Sequence, residues 1–175
     1  MRIGLISDTH GWLHPKVLHY FSSCQEIWHA GDVGNEEVII ELKKISPVVR
    51  FVFGNIDGQV IRRQSHKKLI FQIEGLIVAM THIGGYPPRY NHQTIKWIKS
   101  VNPDLFICGH SHILKVIRDP EHKLLYVNPG AAGYHGFHKQ ATLVRFEINN
   151  KKISQMEVID LGPRGKLPIP DKPLQ

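Results

Sequence analysis

Two kinds of apolar pattern alternate along the chain: short continuous runs and segments with a helical period. Short continuous apolar runs, such as residues 3–6, are typical of buried strands. Between them lie segments with a helical period; the segment after Asn35 has a capping residue, acidic residues in its first turn and an apolar face. We predict strands at residues 3–6, 26–29, 48–53, 69–73, 76–80, 104–108, 113–117, 123–127, 140–148 and 152–161.

Helices are predicted between several of these strands. The first begins near Pro15, since proline suits the first helical turn. The helix after Asn35 ends before Pro47, and a further helix covers residues 93–101. Residues 56–68 are polar and basic, which indicates a surface loop or a short helix. The predicted apolar stripe of the first helix is Val17, Leu18, Phe21 and Cys24.

Helices between the early strands and a run of later strands indicate a layered α/β sandwich with mixed sheets. The chain has 175 residues, which suits one domain. We place this domain at residues 1–161. Residues 162–175 contain four prolines, and we predict that they form an extended or disordered tail.

Composition narrows the class of protein further. The net charge of +7 favours anionic partners, although it does not separate nucleic acid from small phosphates. Cys24 and Cys108 form no CxxC pair, which argues against a disulfide framework and against a thiolate zinc site. No apolar run is long enough for a membrane span, and the N-terminus lacks the features of a signal peptide. We therefore predict a cytoplasmic protein that does not contact membranes.

Polar side chains cluster where five of the predicted strands end. Ligands bind beyond the carboxyl ends of strands in such folds, and burying these groups without partners would be costly. Seven oxygen and imidazole donors without sulfur suit two ions of Mn, Fe, Ni, Co or Zn, and two such ions can hydrolyse a phosphate ester. The donors are Asp8, His10, Asp32, Asn55, His82, His110 and His112.

The five motifs D-x-H, G-D, G-N, T-H and G-H-x-H occur in this order over residues 8–112. Together they resemble the calcineurin-like metallophosphoesterases, and most closely the small single-domain phosphodiesterases among them. The resemblance spans residues 1–161. It implies a four-layered α/β/β/α sandwich with two mixed sheets and a dinuclear centre, in which a metal-bridging hydroxide attacks phosphorus.

By motif position, the resemblance also implies a role for each donor. Asp8, His10 and His112 would bind the first metal, whereas Asn55, His82 and His110 would bind the second. Asp32 would bridge both metals, and Asn55 would help to balance charge on the phosphoryl oxygens. The candidate catalytic residues are accordingly Asp32, Asn55 and His82.

The sequence departs from the family pattern at two positions. Many members have His after the G-N pair, where it protonates the leaving group, but this chain has Ile56. A general acid contributes about 10²–10⁴-fold, so Ile56 disfavours poor leaving groups such as nucleic-acid sugar hydroxyls. The second departure is Ile83, which separates the T-H motif from the glycine that usually follows it and can reshape the substrate rim.

We therefore expect a phosphodiesterase that uses two divalent transition-metal ions, Mn foremost, on a small phosphodiester. The alternative is a protein-interaction scaffold, because the resemblance includes a retromer subunit that works mainly through protein contacts. The complete set of seven donors favours the enzyme. A nuclease ranks last, because the chain has no interleaved aromatic and basic stripe. The sequence leaves open the oligomeric state and the choice between monoesters and diesters.

Several further polar residues carry secondary expectations. We interpret His29 as a core histidine and Asp57 as a residue that supports a turn. Asn128 is expected to serve the turn before Pro129. The sequence does not decide whether His135 and His138 reach the mouth of the site. The basic residues of the 56–68 segment form either a solvated face or an anion-attracting rim; they are Arg62, Arg63, Lys67 and Lys68.

Overall fold

The structure, a computed structural model, describes residues 1–164. Its helices are α1 (Lys16–Phe21), α2 (Glu36–Ile45), α3 (Gln59–Gln64) and α4 (His92–Val101). Its strands are β1 (Arg2–Ile6), β2 (Glu26–His29), β3 (Val48–Phe51), β4 (Lys68–Ile73), β5 (Leu76–Thr81), β6 (Gly85–Tyr86), β7 (Arg89–Tyr90), β8 (Leu105–Ile107), β9 (Leu114–Asp119), β10 (Leu124–Pro129), β11 (Gln140–Asn149) and β12 (Lys152–Pro163).

Two five-stranded sheets form the centre of the fold. The first has the order β12-β11-β1-β2-β3 and the second the order β4-β5-β8-β10-β9. In the first sheet β1, β2 and β3 are parallel, and in the second β5, β8 and β10 are parallel. The other pairs in both sheets are antiparallel, so both sheets are mixed as predicted.

Three apolar clusters hold the layers together. Trp28 of the first sheet packs with Met80 and Ile107 of the second in the cluster between the sheets. Helices α1, α2 and α3 cover the outer face of the first sheet, where Leu42 is fully buried. Helix α4 covers the outer face of the second sheet through Ile98. The order of layers is α/β/β/α, which confirms the predicted fold class.

The predicted helix after Asn35 is confirmed. Asn35 caps α2, because its side chain accepts a hydrogen bond from the backbone N–H of Val38 at 3.3 Å. The prediction for α1 is wrong in part. Its last residue is Phe21, so Cys24 is buried in the turn that follows, and Leu18 is 45% exposed. The helix buries Val17 and Phe21, which are four residues apart, and Leu18 lies off that face.

The structure extends the last strand and adds a hairpin that the sequence pattern does not predict. Strand β12 continues to Pro163, beyond the predicted domain end at residue 161. The rest of the predicted tail, residues 165–175, lies outside the described residues. The 56–68 segment contains the short helix α3, one of the two forms predicted for it. The hairpin of β6 and β7 was not predicted, because two-residue strands have no visible alternation. No helix within residues 1–164 combines the length and the apolar character that crossing a membrane requires.

Candidate metal centre

The seven predicted donors follow the carboxyl ends of β1, β2, β3, β5 and β8. Because these strands run parallel within each of two facing sheets, their ends meet at one edge of the sandwich. Six of the donors form two groups, and within each group the ligand atoms lie within 4.8 Å of one another. The first group is Asp8, His10 and His112, and the second is Asp32, His82 and His110.

The first group directs two imidazole nitrogens and a carboxylate at one another. Nε2 of His10 lies 3.4 Å from Nε2 of His112. The same His112 nitrogen lies 3.1 Å from Oδ1 of Asp8. Burial lowers the pKa of His10 despite the nearby carboxylates, which favours its neutral form. The neutral imidazole is the form that binds a metal ion.

The second group is centred on His82. Its Nε2 lies 3.2 Å from Oδ1 of Asp32 and 3.1 Å from Oδ1 of Asn55, so the seventh predicted donor joins this group. Nδ1 of His82 donates to the carbonyl oxygen of Ala30 at 2.8 Å. A hydrogen bond of this kind leaves the other ring nitrogen free to bind a metal.

Asp32 lies between the two groups. Its Oδ2 is 3.8 Å from Nε2 of His10, while its Oδ1 faces His82. Burial alone would raise the pKa of Asp32, but the hydrogen bond with His82 and its charge outweigh burial and lower it. The carboxylate is therefore ionised and presents one oxygen to each group.

The buried carboxylate of Asp8 tests whether a metal fits. Its Oδ2 accepts hydrogen bonds from Ser7 Oγ at 2.6 Å and from the His110 N–H at 3.1 Å. Its Oδ1 is buried and has no hydrogen-bond partner among the described residues. A buried carboxylate oxygen without a partner is costly, and it faces the Nε2 of His112. The residues present therefore fit a divalent cation.

The backbone at the site is strained. Asp8, His10, Asp32, His110 and His112 all have left-handed backbone conformations, with φ between 50° and 67°. Non-glycine residues rarely adopt this conformation, and each costs of order 1–3 kcal/mol. Such strain is concentrated at functional sites, because the surrounding structure must hold it in place.

The glycines of the motifs allow neighbouring strands to approach one another. A Cβ on Gly54 would clash with the carboxylate and the backbone of Asp32. A Cβ on Gly109 would clash with the side chain of Ser7, which supports Asp8. In the G-N and G-H pairs, the second residue is therefore a donor, and the glycine before it leaves room for the aspartate of a neighbouring loop.

Buried polar residues around the site hold its loops. Asp57 accepts hydrogen bonds from the backbone N–H groups of Gly54 and Gly34, each at 2.7 Å, which confirms its supporting role. His29 is fully buried, and its Nε2 lies 2.9 Å from Thr9 Oγ1, as expected for a core histidine. Burial lowers the pKa of His29 to about 4.

The turn beyond β10 is held by Asn128, as predicted. Its Oδ1 accepts from the Gly130 N–H at 2.9 Å, and its Nδ2 donates to the Gly109 carbonyl oxygen at 2.8 Å. Because Gly109 precedes His110, the same side chain steadies a donor loop.

The mouth of the site carries additional histidines and an arginine. The ring of His135 lies 5.8 Å from that of His10, and the ring of His138 lies 5.6 Å from that of His112. Both histidines therefore reach the mouth. Nη1 of Arg164 lies 3.3 Å from Nδ1 of His112 and 3.3 Å from Nδ1 of His138. Sequence reasoning missed Arg164, because it follows the last strand at a distance of 52 residues from His112.

Ile56, which follows the G-N pair, is 46% exposed. Its side chain carries no proton for a leaving group. Its backbone N–H donates to Asp32 Oδ1 at 3.1 Å. This position therefore orients the shared carboxylate and supplies no acid.

Residues 1–151 match the sequence profile of the calcineurin-like phosphoesterase superfamily domain. The chain belongs to this superfamily. A probable metallophosphoesterase of Methanothermobacter thermautotrophicus is 32% identical over 137 residues, which cover 75% of this chain and 77% of that protein. The family resemblance carried by the motifs is thereby confirmed.

Solved structures share the fold at lower sequence identity. Wild-type Vps29 of Entamoeba histolytica complexed with Zn²⁺ has a TM-score of 0.72 and 19% identity, over 93% of this chain and 100% of that chain. An archaeal phosphodiesterase has a TM-score of 0.67 and 22% identity, over 91% of this chain and 100% of that chain. The superfamily fold therefore occurs both in an enzyme and in a vacuolar sorting protein.

Proposed function

We propose that this metallophosphoesterase hydrolyses a small phosphodiester with two divalent metal ions. The observation that carries the proposal is the position of Asp32, whose two carboxylate oxygens face His10 and His82. A single ion would not require a carboxylate between two complete donor groups. Hydrolysis would add one water across a P–O bond and yield a phosphate monoester and an alcohol.

Each donor has a task in this proposal. Asp8, His10 and His112 would hold the first ion; His82, His110 and Asn55 would hold the second, and Asp32 would contact both. When bound, two such ions supply Lewis acidity to the phosphoryl oxygens and lower the pKa of a water.

Asn55 has a second task. It is exposed, and its Oδ1 faces His82, which leaves its amide nitrogen to donate to a phosphoryl oxygen. Asp32 and His82 would act by holding the second ion against the substrate phosphate. These three residues are the proposed catalytic residues.

We expect manganese, with iron, cobalt, nickel and zinc as alternatives. The carboxylate and amide oxygens suit Mn²⁺, and the four imidazoles suit iron, nickel and zinc. Because Ile56 supplies no acid, we expect activated aryl phosphodiesters to react far faster than alkyl diesters, whose alkoxides need a proton.

The test uses protein stripped of metal and reconstituted with Mn²⁺, acting on an activated aryl phosphodiester. We expect hydrolysis by the wild type and its loss in His82→Ala. The matched control is His19→Ala, which removes an exposed histidine of α1 and should leave the rate unchanged. Equal rates for the metal-loaded wild type and His82→Ala would contradict the proposal.

A scaffold remains the second candidate, because the Vps29 structure shares the fold. The face-to-face arrangement of two donor groups favours the enzyme, since a protein-binding surface does not require it. A single stable partner at fixed stoichiometry, together with no turnover of any diester, would favour the scaffold.

A further inference from the structure

A cavity of about 270 Å³ opens beside the second donor group. Asn55 and His82 form one side of it, so a molecule in the cavity would touch the metal centre. Phe53 and Ile83 supply an apolar wall, and Arg62 and Lys67 supply two positive charges. None of the described residues that line the cavity is acidic.

Arg62 is fixed at the wall of this cavity. Its Nε donates to the carbonyl oxygen of Asp57 at 2.6 Å, and its Nη2 donates to that of Gly54 at 3.2 Å. Its guanidinium lies over the ring of Phe53, 4.6 Å from the ring centroid. Its remaining nitrogen, Nη1, makes no hydrogen bond within residues 1–164. The arginine therefore holds the loop that carries Asn55 and keeps one donor group for a ligand.

Lys67 comes from the other side of the cavity. Its carbonyl oxygen accepts a hydrogen bond from Thr81 Oγ1 at 3.0 Å, which fixes its backbone beside the residue that precedes His82. Its side chain is exposed, and its ammonium forms no ion pair with the described residues. A free ammonium beside an apolar wall is available to an anion.

The other two basic residues of the segment, Arg63 and Lys68, contact groups outside this cavity. Arg63 contacts Gln59 Oε1 at 3.5 Å on its own helix. The ammonium of Lys68 lies over the ring of Trp97, 4.6 Å from its centroid. Arg62 and Lys67 therefore line this cavity, whereas Lys68 lines an adjoining one that shares three lining residues with it.

We infer that this cavity is a specificity subsite for a second anionic group, a terminal phosphate, on the substrate. The inference rests on the proposed function and names its substrate class: a phosphodiester with a further phosphate on one arm. The reacting phosphorus would lie at the metal centre. The carbon skeleton of that arm would contact Phe53 and Ile83, and its phosphate would meet Arg62 and Lys67.

The kinetic test compares two aryl phosphodiesters that differ only in the end of one alkyl arm, phosphate or hydroxyl. For the Mn²⁺-loaded wild type we expect kcat/KM to be about tenfold higher for the phosphate-ended substrate at low salt, because an ion contact of about 1.4 kcal/mol corresponds to tenfold. Lys67→Gln should reduce this preference, because Arg62 is then the only cation left at the subsite, and Lys68→Gln should keep it. A preference that is absent, or equal in both variants, would overturn the inference.

A binding test separates this inference from the proposed function. Phenyl phosphate is titrated by calorimetry into metal-stripped protein, where no turnover occurs. We expect Lys67→Gln to weaken its binding about tenfold and Lys68→Gln to leave it unchanged. Lys67-dependent binding without any diester turnover would uphold the subsite and contradict the proposed function. Turnover with no dependence on Lys67 in either test would uphold the function and overturn the subsite.

Discussion

Two clusters in this protein combine a buried aspartate with histidine, and they differ in how the carboxylate is satisfied. In the turn between β9 and β10, Asp119 Oδ2 accepts from the Tyr90 hydroxyl at 2.9 Å and contacts His122 Nδ1 at 3.0 Å. Its Oδ1 accepts from the backbone N–H groups of Glu121 and His122 at 3.0 and 3.2 Å. Burial would raise the pKa of Asp119, but these hydrogen bonds outweigh burial and lower it.

At the metal centre, the buried carboxylate does not have hydrogen bonds to both of its oxygens. Oδ1 of the fully buried Asp8 has no hydrogen-bond partner within the described residues, although histidine nitrogens lie 3.1 and 4.0 Å away. Five of the donors themselves have a left-handed backbone, whereas Asp119 and His122 do not, and in their turn only the neighbouring Lys123 does. A buried carboxylate beside histidine is therefore not by itself a site. Unsatisfied oxygens, converging nitrogens and backbone strain together indicate one.

The largest expected effect separates the two aspartates by activity. Asp32→Ala should lower metal-dependent phosphodiester hydrolysis by more than about 100-fold, because residues that only support a metal ligand already contribute about 10–100-fold. Asp119→Ala should stay within about twofold of wild type, since it contacts no proposed donor. Similar losses in the two variants would remove the distinction between the clusters.

The second effect is on stability. Mn²⁺ at about 100 times its dissociation constant should raise the free energy of unfolding by about 2.7 kcal/mol for each ion bound, because the ions bind the folded chain. Urea denaturation with and without Mn²⁺ measures the shift. Asp8→Asn should reduce it, since the variant removes a charged donor of the first group. An equal shift in the wild type and the variant would argue against binding at this site.

Asp119 should matter for folding instead. Asp119→Ala leaves the Tyr90 hydroxyl and His122 Nδ1 without their acceptor, which should cost about 1–3 kcal/mol of unfolding free energy. Tyr90→Phe, which removes a single hydroxyl, should cost less. Chemical denaturation without added metal gives both values. No loss in either variant would mean that this cluster does not stabilise the fold.

The smallest effect concerns the space around Asp32. Gly54→Ala should weaken Mn²⁺ binding about tenfold, because the new methyl group displaces the Asp32 carboxylate. Gly58→Ala is the matched control: it lies in the same loop, and a Cβ there meets nothing within 4 Å. Calorimetric titration of Mn²⁺ compares them. Equal affinities would show that the approach of Gly54 to Asp32 is unimportant.

Much of this architecture could be predicted from the sequence. The donors stand at the ends of short apolar strands, and parallel strands bring such ends together, so both the sheets and the gathering of the seven donors follow from local patterns. The cap of α2 is equally local, because Asn35 and Val38 lie within one turn.

Other features depend on contacts that no local pattern encodes. Arg164 reaches His112 from the far end of the chain, and Ser7 supports Asp8 through a hydroxyl that the motif does not require. Leu18 is exposed because α1 buries the face that carries Val17 and Phe21. Likewise, no local pattern distinguishes Lys67, which lines the cavity, from Lys68, whose ammonium lies over the ring of Trp97.

Crystals grown with Mn²⁺ test most directly whether two divalent ions share Asp32. Anomalous diffraction at the manganese edge should reveal two peaks about 3.5–4 Å apart. One peak should lie among Asp8, His10 and His112 and the other among Asn55, His82 and His110, with an Asp32 oxygen on each side. A single peak, or no peak at either donor group, would contradict this arrangement.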